Sequence, residues 1–170
     1  MNPETEIVNR VEKSGLITID LQKLLPVEER VEIDIAQWLD NGIVLREKEY
    51  REAIKNHKWE NYQNKYVAVN CSSDAIIPFW AYMLVVSELT GIAKLSIQGS
   101  LSDLEKEIIR LTIQQIDAEK YKDERIIIKG CSDIHHPEYA FSLMVSRLQP
   151  YVKSIMYGEP CSTVPVFKKK

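Results

Sequence analysis

The chain has 170 residues, of which 45% are hydrophobic and 28% charged, and its formal net charge is -3 at pH 7. This length supports one domain with a full core, and the composition is typical of a globular protein. The negative charge argues against nucleic acid as a partner, because phosphate binding needs a concentrated excess of Lys and Arg. The longest apolar stretch, residues 75–86, is shorter than the ~20 residues that cross a bilayer, so we expect no membrane partner.

The first 64 residues are predicted to form an N-terminal extension of strands and one helix. Residues 31–35 alternate apolar and acidic side chains, as a strand with one face in water does, and residues 16–21 repeat this more weakly. Residues 46–57 carry opposite charges four positions apart, which favours a helix. Residues 1–15 lack the apolar segment of a secretory signal, so we expect a cytoplasmic protein.

Residues 65–158 contain an internal repeat whose first strands and cysteines are 60 positions apart and whose remaining residues, after one extra serine in the first copy, are 59 positions apart. Its aligned pairs include Pro78 and Pro137, Ala81 and Ala140, and Gly99 and Gly158. Each copy has the pattern of a strand, a Cys-Ser loop, a helix and a second strand, which predicts two duplicated β-α-β units. The first strands, residues 66–69 and 126–128, are continuous apolar runs, typical of parallel sheets that are covered on both faces.

A helix is predicted after the Cys-Ser loop of each copy, beginning near Pro78 or Pro137. The first of these helices is apolar nearly all round, so we expect it to be the more deeply buried of the two. Ser102 and Glu105 have the spacing of a capping box and predict the start of the helix that joins the copies. Residues 159–170 are predicted to form a C-terminal loop and tail.

Together these elements predict a single α/β domain over residues 1–170. We expect a three-layer fold around a mostly parallel sheet, since right-handed crossovers and short connections leave few topologies. Two duplicated β-α-β units most simply give a core strand order of 2-1-3-4, with the first strands of both copies side by side. Ligands of open α/β sheets bind beyond the carboxyl ends of the strands, where the winding reverses, and that point lies between these two strands.

The three cysteines, Cys71, Cys131 and Cys161, each come shortly after a predicted strand and are each followed by serine. The expected strand order brings Cys71 and Cys131 to one crevice, and Cys161 follows the strand at residues 152–157 at the same sheet edge. Thiolates favour zinc, copper(I) and iron–sulfur clusters. We therefore expect the cysteines to bind an iron–sulfur cluster or zinc, with His135 as a further ligand, in cluster assembly or trafficking.

Polar residues near the cysteines are expected to support such a metal site. Hydroxyl and carboxylate groups in these positions hydrogen-bond to metal ligands and tune the metal. The two aspartates among them are also explained as helix caps. The residues are Ser72, Asp74, Ser132, Asp133 and Ser162.

Two functions of other classes stay open alongside metal binding. The first is a thiol-dependent enzyme with Cys71 or Cys131 as the nucleophile, because a helix amino terminus lowers the pKa of a nearby thiol. Neither Cys-Ser loop carries an arginine that would hold a transferred group, which argues against a phosphatase. The second is a non-catalytic interaction module, such as a homo-oligomer, that uses the thiols only for packing.

The chain resembles a bacterial family of uncharacterised proteins, domain of unknown function 2480. The resemblance is carried by the segments EIVNRVEKSGLITIDL, KYVAVNCSSDAIIPFWAYM and VKSIMYGEPCSTVP, of which GEPCSTVP is the most specific. It covers nearly the whole chain and implies no established activity. It implies iron–sulfur assembly proteins as partners, which agrees with the expected cluster site.

Overall fold

The computed structural model describes residues 15–130 and 134–170. The chain divides into two compact units: unit 1 comprises Met1–Pro26 and Ile108–Lys170, and unit 2 comprises Val27–Glu107. Each unit contains its own sheet with helices, so the α/β class is confirmed. In the part of the chain that is described, no helix has the length and apolar character needed to cross a bilayer.

The helices and strands have the following bounds. The strands are β1 Leu16–Asp20, β2 Arg30–Asp34, β3 Tyr66–Asn70, β4 Leu95–Gln98, β5 Arg125–Lys129, β6 Ser154–Glu159 and β7 Ser162–Lys168. The helices are α1 Leu21–Leu24, α2 Glu47–Asn56, α3 Phe79–Leu89, α4 Leu101–Gln114 and α5 Pro137–Leu148. The predicted helix at residues 46–57 and the predicted strands at residues 16–21 and 31–35 are therefore confirmed.

The sheet of unit 2 has the order β2-β3-β4, and all of its pairs are parallel. Its middle strand carries Val67, Ala68 and Val69, which are all fully buried. Such a continuous apolar run is expected for a parallel strand that is covered on both faces. The core of this unit packs Val67 and Val69 against Tyr50 of α2 and Val85 of α3.

The sheet of unit 1 has the order β1-β5-β6-β7, in which β7 alone runs antiparallel to its neighbour. The side chains of Ile126, Ile127 and Ile128 fill the centre of β5 and are buried. Strand β7 occupies much of the segment predicted as a C-terminal loop and tail, so that prediction is wrong. The segment pairs because Gly158 and the residues after it reverse the chain into a hairpin with β6.

The predicted core order of 2-1-3-4 is also wrong. It required β3 and β5 to be neighbours, but each has a different strand on both of its sides. β1 pairs in register with β5, and β2 pairs in register with β3. The N-terminal strands β2 and β1 therefore occupy the edges of β3 and β5 that the predicted order used to pair these two strands with each other. The three-layer arrangement and the duplication of units stay predictions.

The start of α4 differs by two residues from the predicted capping box. Ser100 and Asp103 form the box, since the Ser100 amide donates to Asp103 Oδ2 at 2.9 Å and the Asp103 amide donates to Ser100 Oγ at 3.2 Å. Ser102 lies inside the helix, and Glu105 forms an ion pair with Arg30 at 2.8 Å. The sequence contains two overlapping Ser-x-x-acid patterns, Ser100–Asp103 and Ser102–Glu105, and the helix begins at the first of them.

Candidate functional site

Asp34 organises the carboxyl end of the unit 2 sheet. Its Oδ1 accepts hydrogen bonds from the amides of Ala36 at 2.9 Å and Ser72 at 3.0 Å, and its Oδ2 accepts one from the Ser72 hydroxyl at 2.5 Å. Burial raises the pKa of Asp34, but these hydrogen bonds lower it more, so the net pKa lies below its usual value. Asp34 therefore holds the loop after β3 against the end of β2 as a carboxylate.

Cys71 follows β3 and is half-buried against the unit 2 core. Its Sγ lies 3.3 Å from Ser73 Oγ and 3.8 Å from the Ser73 carbonyl oxygen. Both contacts come from the same short loop. The thiol thus serves in packing and in local hydrogen bonding.

Cys161 is exposed and lies in the turn between β6 and β7. Glu159 and Ser162 are paired across this hairpin, so Pro160 and Cys161 form a two-residue connection. Gly158 precedes the turn at a φ of +119°. Ser162 is the first residue of β7, where its backbone and not its hydroxyl is used for pairing.

The remaining residues of the predicted metal site divide into two groups. Cys131, Ser132 and Asp133 lie outside the described residues. His135 and Asp74 are described, and both side chains are exposed.

The prediction of a metal or iron–sulfur site is wrong. Among residues 15–130 and 134–170, no group of three His, Cys, Asp or Glu side chains is placed to hold a metal ion. The argument for convergence also fails, because the strands that precede Cys71 and Cys131 belong to different sheets. Bringing Cys71 and Cys131 together required β3 and β5 to pair with each other, but β2 and β1 pair with these strands instead.

A row of exposed apolar side chains is the most unusual feature of unit 2. Ile76 is 96% exposed, Phe79 87% and Met83 68%. Phe79 and Met83 are four residues apart and lie on one side of α3, and Ile76 lies in the segment that leads into the helix; together these three residues are called the α3 stripe. The opposite side of α3 carries the buried residues Ala81 and Val85. The prediction that this helix is the more deeply buried one is therefore wrong.

The helix α5 provides a comparison at matched positions. Its buried residues Ala140, Met144 and Leu148 lie 59 positions after Ala81, Val85 and Leu89, which are the buried residues of α3. At the same offset, Glu138 and Ser142 take the places of Phe79 and Met83. A helix packed in this way therefore does not need apolar residues on its outer side. The packing of α3 onto the core of unit 2 therefore does not account for the apolar residues of the α3 stripe.

Several contacts hold α3 firmly beneath the stripe. Tyr50 of α2 is fully buried, and its hydroxyl donates to the Ala81 carbonyl at 3.1 Å. Burial raises the pKa of Tyr50, so the hydroxyl keeps its proton and the hydrogen bond persists at ordinary pH. Trp80 packs edge-on against Tyr50 at 5.8 Å, and the Arg51 guanidinium lies 4.9 Å from the Trp80 ring centre. The stripe is consequently presented on a fixed surface.

The sequence pattern does not predict the α3 stripe, because a helix that is apolar nearly all round is ordinarily buried. A signal for it was present in the repeat. Positions that are polar in one copy and large and apolar in the other, such as Ser142 against Met83, indicate a side of the helix where packing does not require an apolar residue.

Comparison with known proteins gives the family and nothing about activity. No curated protein and no solved structure matches the chain. A family model described as "Protein of unknown function (DUF2480)" matches residues 5–169, and the chain therefore belongs to that family.

Proposed function

We propose that this chain is an interaction module that docks another polypeptide on the α3 stripe. The observation that carries the proposal is the exposure of Phe79 and Met83 on a helix whose opposite side carries the buried Ala81 and Val85, together with the exposure of Ile76 just before that helix. Burying such side chains against a partner is favourable in proportion to the apolar area removed from water.

The size of the stripe supports docking. Three large side chains at these exposures present on the order of 400 Å² of apolar surface, which is comparable with the ~300–600 Å² of the largest apolar patch on a typical monomer. Patches of this size are often functional. Scattered single apolar residues, such as the exposed Val27 elsewhere in unit 2, need no such explanation.

Photo-crosslinking in the cells that naturally express the chain tests this proposal. Phe79 is replaced by p-benzoylphenylalanine, and the cross-linked products are separated by mass. We expect one or a few discrete adducts with a polypeptide. The same adducts should disappear when Met83→Asp is added, because a charge in the stripe must be desolvated on docking.

Val27 provides the matched control, since it is exposed, apolar, and outside the stripe. The photo-reactive residue at position 27 should not give the same adducts, and Val27→Asp should leave the adducts of position 79 unchanged. Equal capture from both positions, or no adduct from position 79, would contradict the proposed function.

A further inference from the structure

Unit 1 carries a hollow at the carboxyl end of its sheet, which is the end where open α/β sheets bind small ligands. The hollow has a volume of about 500 Å³, which lies within the ~300–1,000 Å³ of small-molecule sites. It is lined by Asp20, Lys23, Leu24, Tyr121, Lys129 and Glu159, together with residues 17–19 of β1. Asp20, Lys129 and Glu159 are the last residues of β1, β5 and β6, so three neighbouring strands bring charged side chains to one place.

The charged groups of this hollow are only loosely paired with one another. Lys129 Nζ lies 3.4 Å from Glu159 Oε2 and 3.8 Å from Asp20 Oδ2. Both distances exceed the ~2.7–2.9 Å of a charge-assisted hydrogen bond. The Glu159 side chain is 60% exposed, and no ion pair joins Lys23 to another described residue. Two cations and two carboxylates thus border one space, and each sign keeps polar atoms that a ligand can contact.

The carboxyl edge of the unit 2 sheet shows a contrasting, saturated arrangement. Asp34 ends β2 as Asp20 ends β1, and each caps the short helix that follows it. Ser72 donates to both carboxylate oxygens of Asp34. Among the described residues, Asp20 Oδ2 has only Lys129 near it, at 3.8 Å. The edge of the unit 1 sheet therefore keeps a carboxylate oxygen that no short hydrogen bond occupies.

The rest of the hollow is apolar and borders a strand edge. Ile17, Thr18 and Ile19 all line it, although successive side chains of a strand point to opposite faces. The hollow therefore follows the outer edge of β1, which is the end strand of its sheet, and such an edge presents backbone N–H and C=O groups. Leu24 and Tyr121 add apolar surface to the same hollow. A ligand that fits combines polar groups with an apolar part.

We propose that this hollow binds a free α-amino acid with a large apolar side chain. Such a ligand is a zwitterion, and its two charges match a site in which cations and carboxylates are equal in number. Lys23 and Lys129 receive the ligand carboxylate. Asp20 and Glu159 receive its ammonium group. A ligand of one sign would instead lie beside two like charges, which costs free energy.

Titration calorimetry of the full chain with L-leucine and L-phenylalanine is the first test. We expect at least one of them to bind with a dissociation constant of about 1 mM or lower, which a ligand of this size can reach. The analogues that lack the ammonium group are 4-methylpentanoate and 3-phenylpropanoate, and those that lack the carboxylate are 3-methylbutylamine and 2-phenylethylamine. Each should bind about fivefold or more weakly than its parent amino acid, since it leaves charges of the site without a counterpart.

Variants that remove one charge locate the site. Lys23→Met and Glu159→Gln should each weaken amino-acid binding by about threefold or more, as expected for charge pairs at partly exposed positions. Both side chains are exposed, so the variants should fold, and thermal unfolding checks this. Lys23→Met should leave binding of the amine analogue unchanged, because that analogue has no carboxylate. Lys153→Met is the matched control and should have no effect, since Lys153 is exposed just before β6, at the other end of the sheet.

Three results would overturn the inference. One is that neither amino acid binds at concentrations up to about 10 mM, where even a weak site would fill. Another is that the analogues bind as tightly as the amino acids, and the third is that Lys23→Met and Glu159→Gln both bind like the wild type. None of these measurements involves the α3 stripe, so photo-crosslinking from position 79 tests the proposed function separately.

Discussion

Asp34 and Ser72 are joined by two hydrogen bonds across the carboxyl end of the unit 2 sheet, one from the Ser72 hydroxyl and one from its amide. The carboxylate also accepts from the Ala36 amide, at the start of the short 3-10 helix Ile35–Trp38. One side chain therefore ends β2 and fixes the loop that carries Cys71.

We expect Asp34→Asn to lower the free energy of unfolding by about 1–3 kcal/mol at pH 7, the usual range for hydrogen bonds to a charged group. Because the pKa of Asp34 is lowered in the folded state, its contribution is present above the unfolded pKa of ~3.9 and is lost as the pH falls through the folded value. The difference between wild type and variant should shrink accordingly. Urea titrations at pH 7 and in steps below pH 4 measure it.

Asp20 is the control for this experiment, since it ends β1, accepts a hydrogen bond from the Gln22 amide at 3.2 Å, and has its Oδ2 3.8 Å from Lys129 Nζ. Asp20→Asn should cost less at pH 7. An Asp34→Asn variant that is as stable as the wild type at pH 7 would contradict the role given to the carboxylate.

The ion pair between Arg30 and Glu105 should contribute measurably to the stability of unit 2. Their side chains are only 22% and 15% exposed, and the Arg30 guanidinium also lies 5.4 Å from the Tyr66 ring centre. We expect Glu105→Gln to lower the free energy of unfolding by about 1–3 kcal/mol, because it removes the carboxylate that accepts a hydrogen bond from a partly buried cation. A double-mutant cycle with Arg30→Gln isolates the coupling between the two groups.

The control for this measurement is the ion pair of Arg51 and Glu47 on the surface of α2. Arg51 Nε lies 2.9 Å from Glu47 Oε1, but more than half of each side chain is exposed. Its coupling should be below about 0.5 kcal/mol. Equal coupling in the two pairs would show that burial does not set the strength of the Arg30–Glu105 interaction.

Gly158→Ala should destabilise the hairpin of β6 and β7. The residue has a φ of +119°, and an added Cβ would lie 2.6 Å from the Ser162 carbonyl oxygen. We expect a loss of about 2 kcal/mol or more, since the backbone conformation and the clash both oppose any side chain. Thermal unfolding measures the loss. Gly42→Ala, with a φ of +73° and no atom within 4 Å of the added Cβ, should cost about 1 kcal/mol.

The thiols allow a test of the hypothesis that the chain is a thiol-dependent enzyme. Cys161 is exposed and Cys71 is half-buried with its Sγ near Ser73. We expect Cys71 to react with Ellman's reagent at pH 7 more slowly than Cys161, because access limits the attack. Variants that keep one of the three cysteines at a time separate the rates. Unusually fast labelling of Cys71 would instead indicate an activated nucleophile and support the enzyme hypothesis; the same measurement on Cys131 tests the other half of it.

Local sequence patterns correctly predicted the positions of several strands and of one helix. The apolar runs at residues 66–69 and 126–128 became the buried centres of β3 and β5, because such runs have few alternatives in an α/β chain. The alternation at residues 31–35 became β2 for the same kind of reason. Residues 46–57 formed a helix with buried Tyr50 and Ile54 on one side.

Tertiary structure decided how the strands pair and which apolar residues stay exposed. Pairing joins β1 to β5 and β2 to β3 over long stretches of chain, and no local pattern states which edge a strand will occupy. The predicted metal site depended on that choice and failed with it. The exposure of Phe79 and Met83 likewise depends on what packs around α3, since the apolar character of a residue does not reveal whether its partner is the core or another molecule.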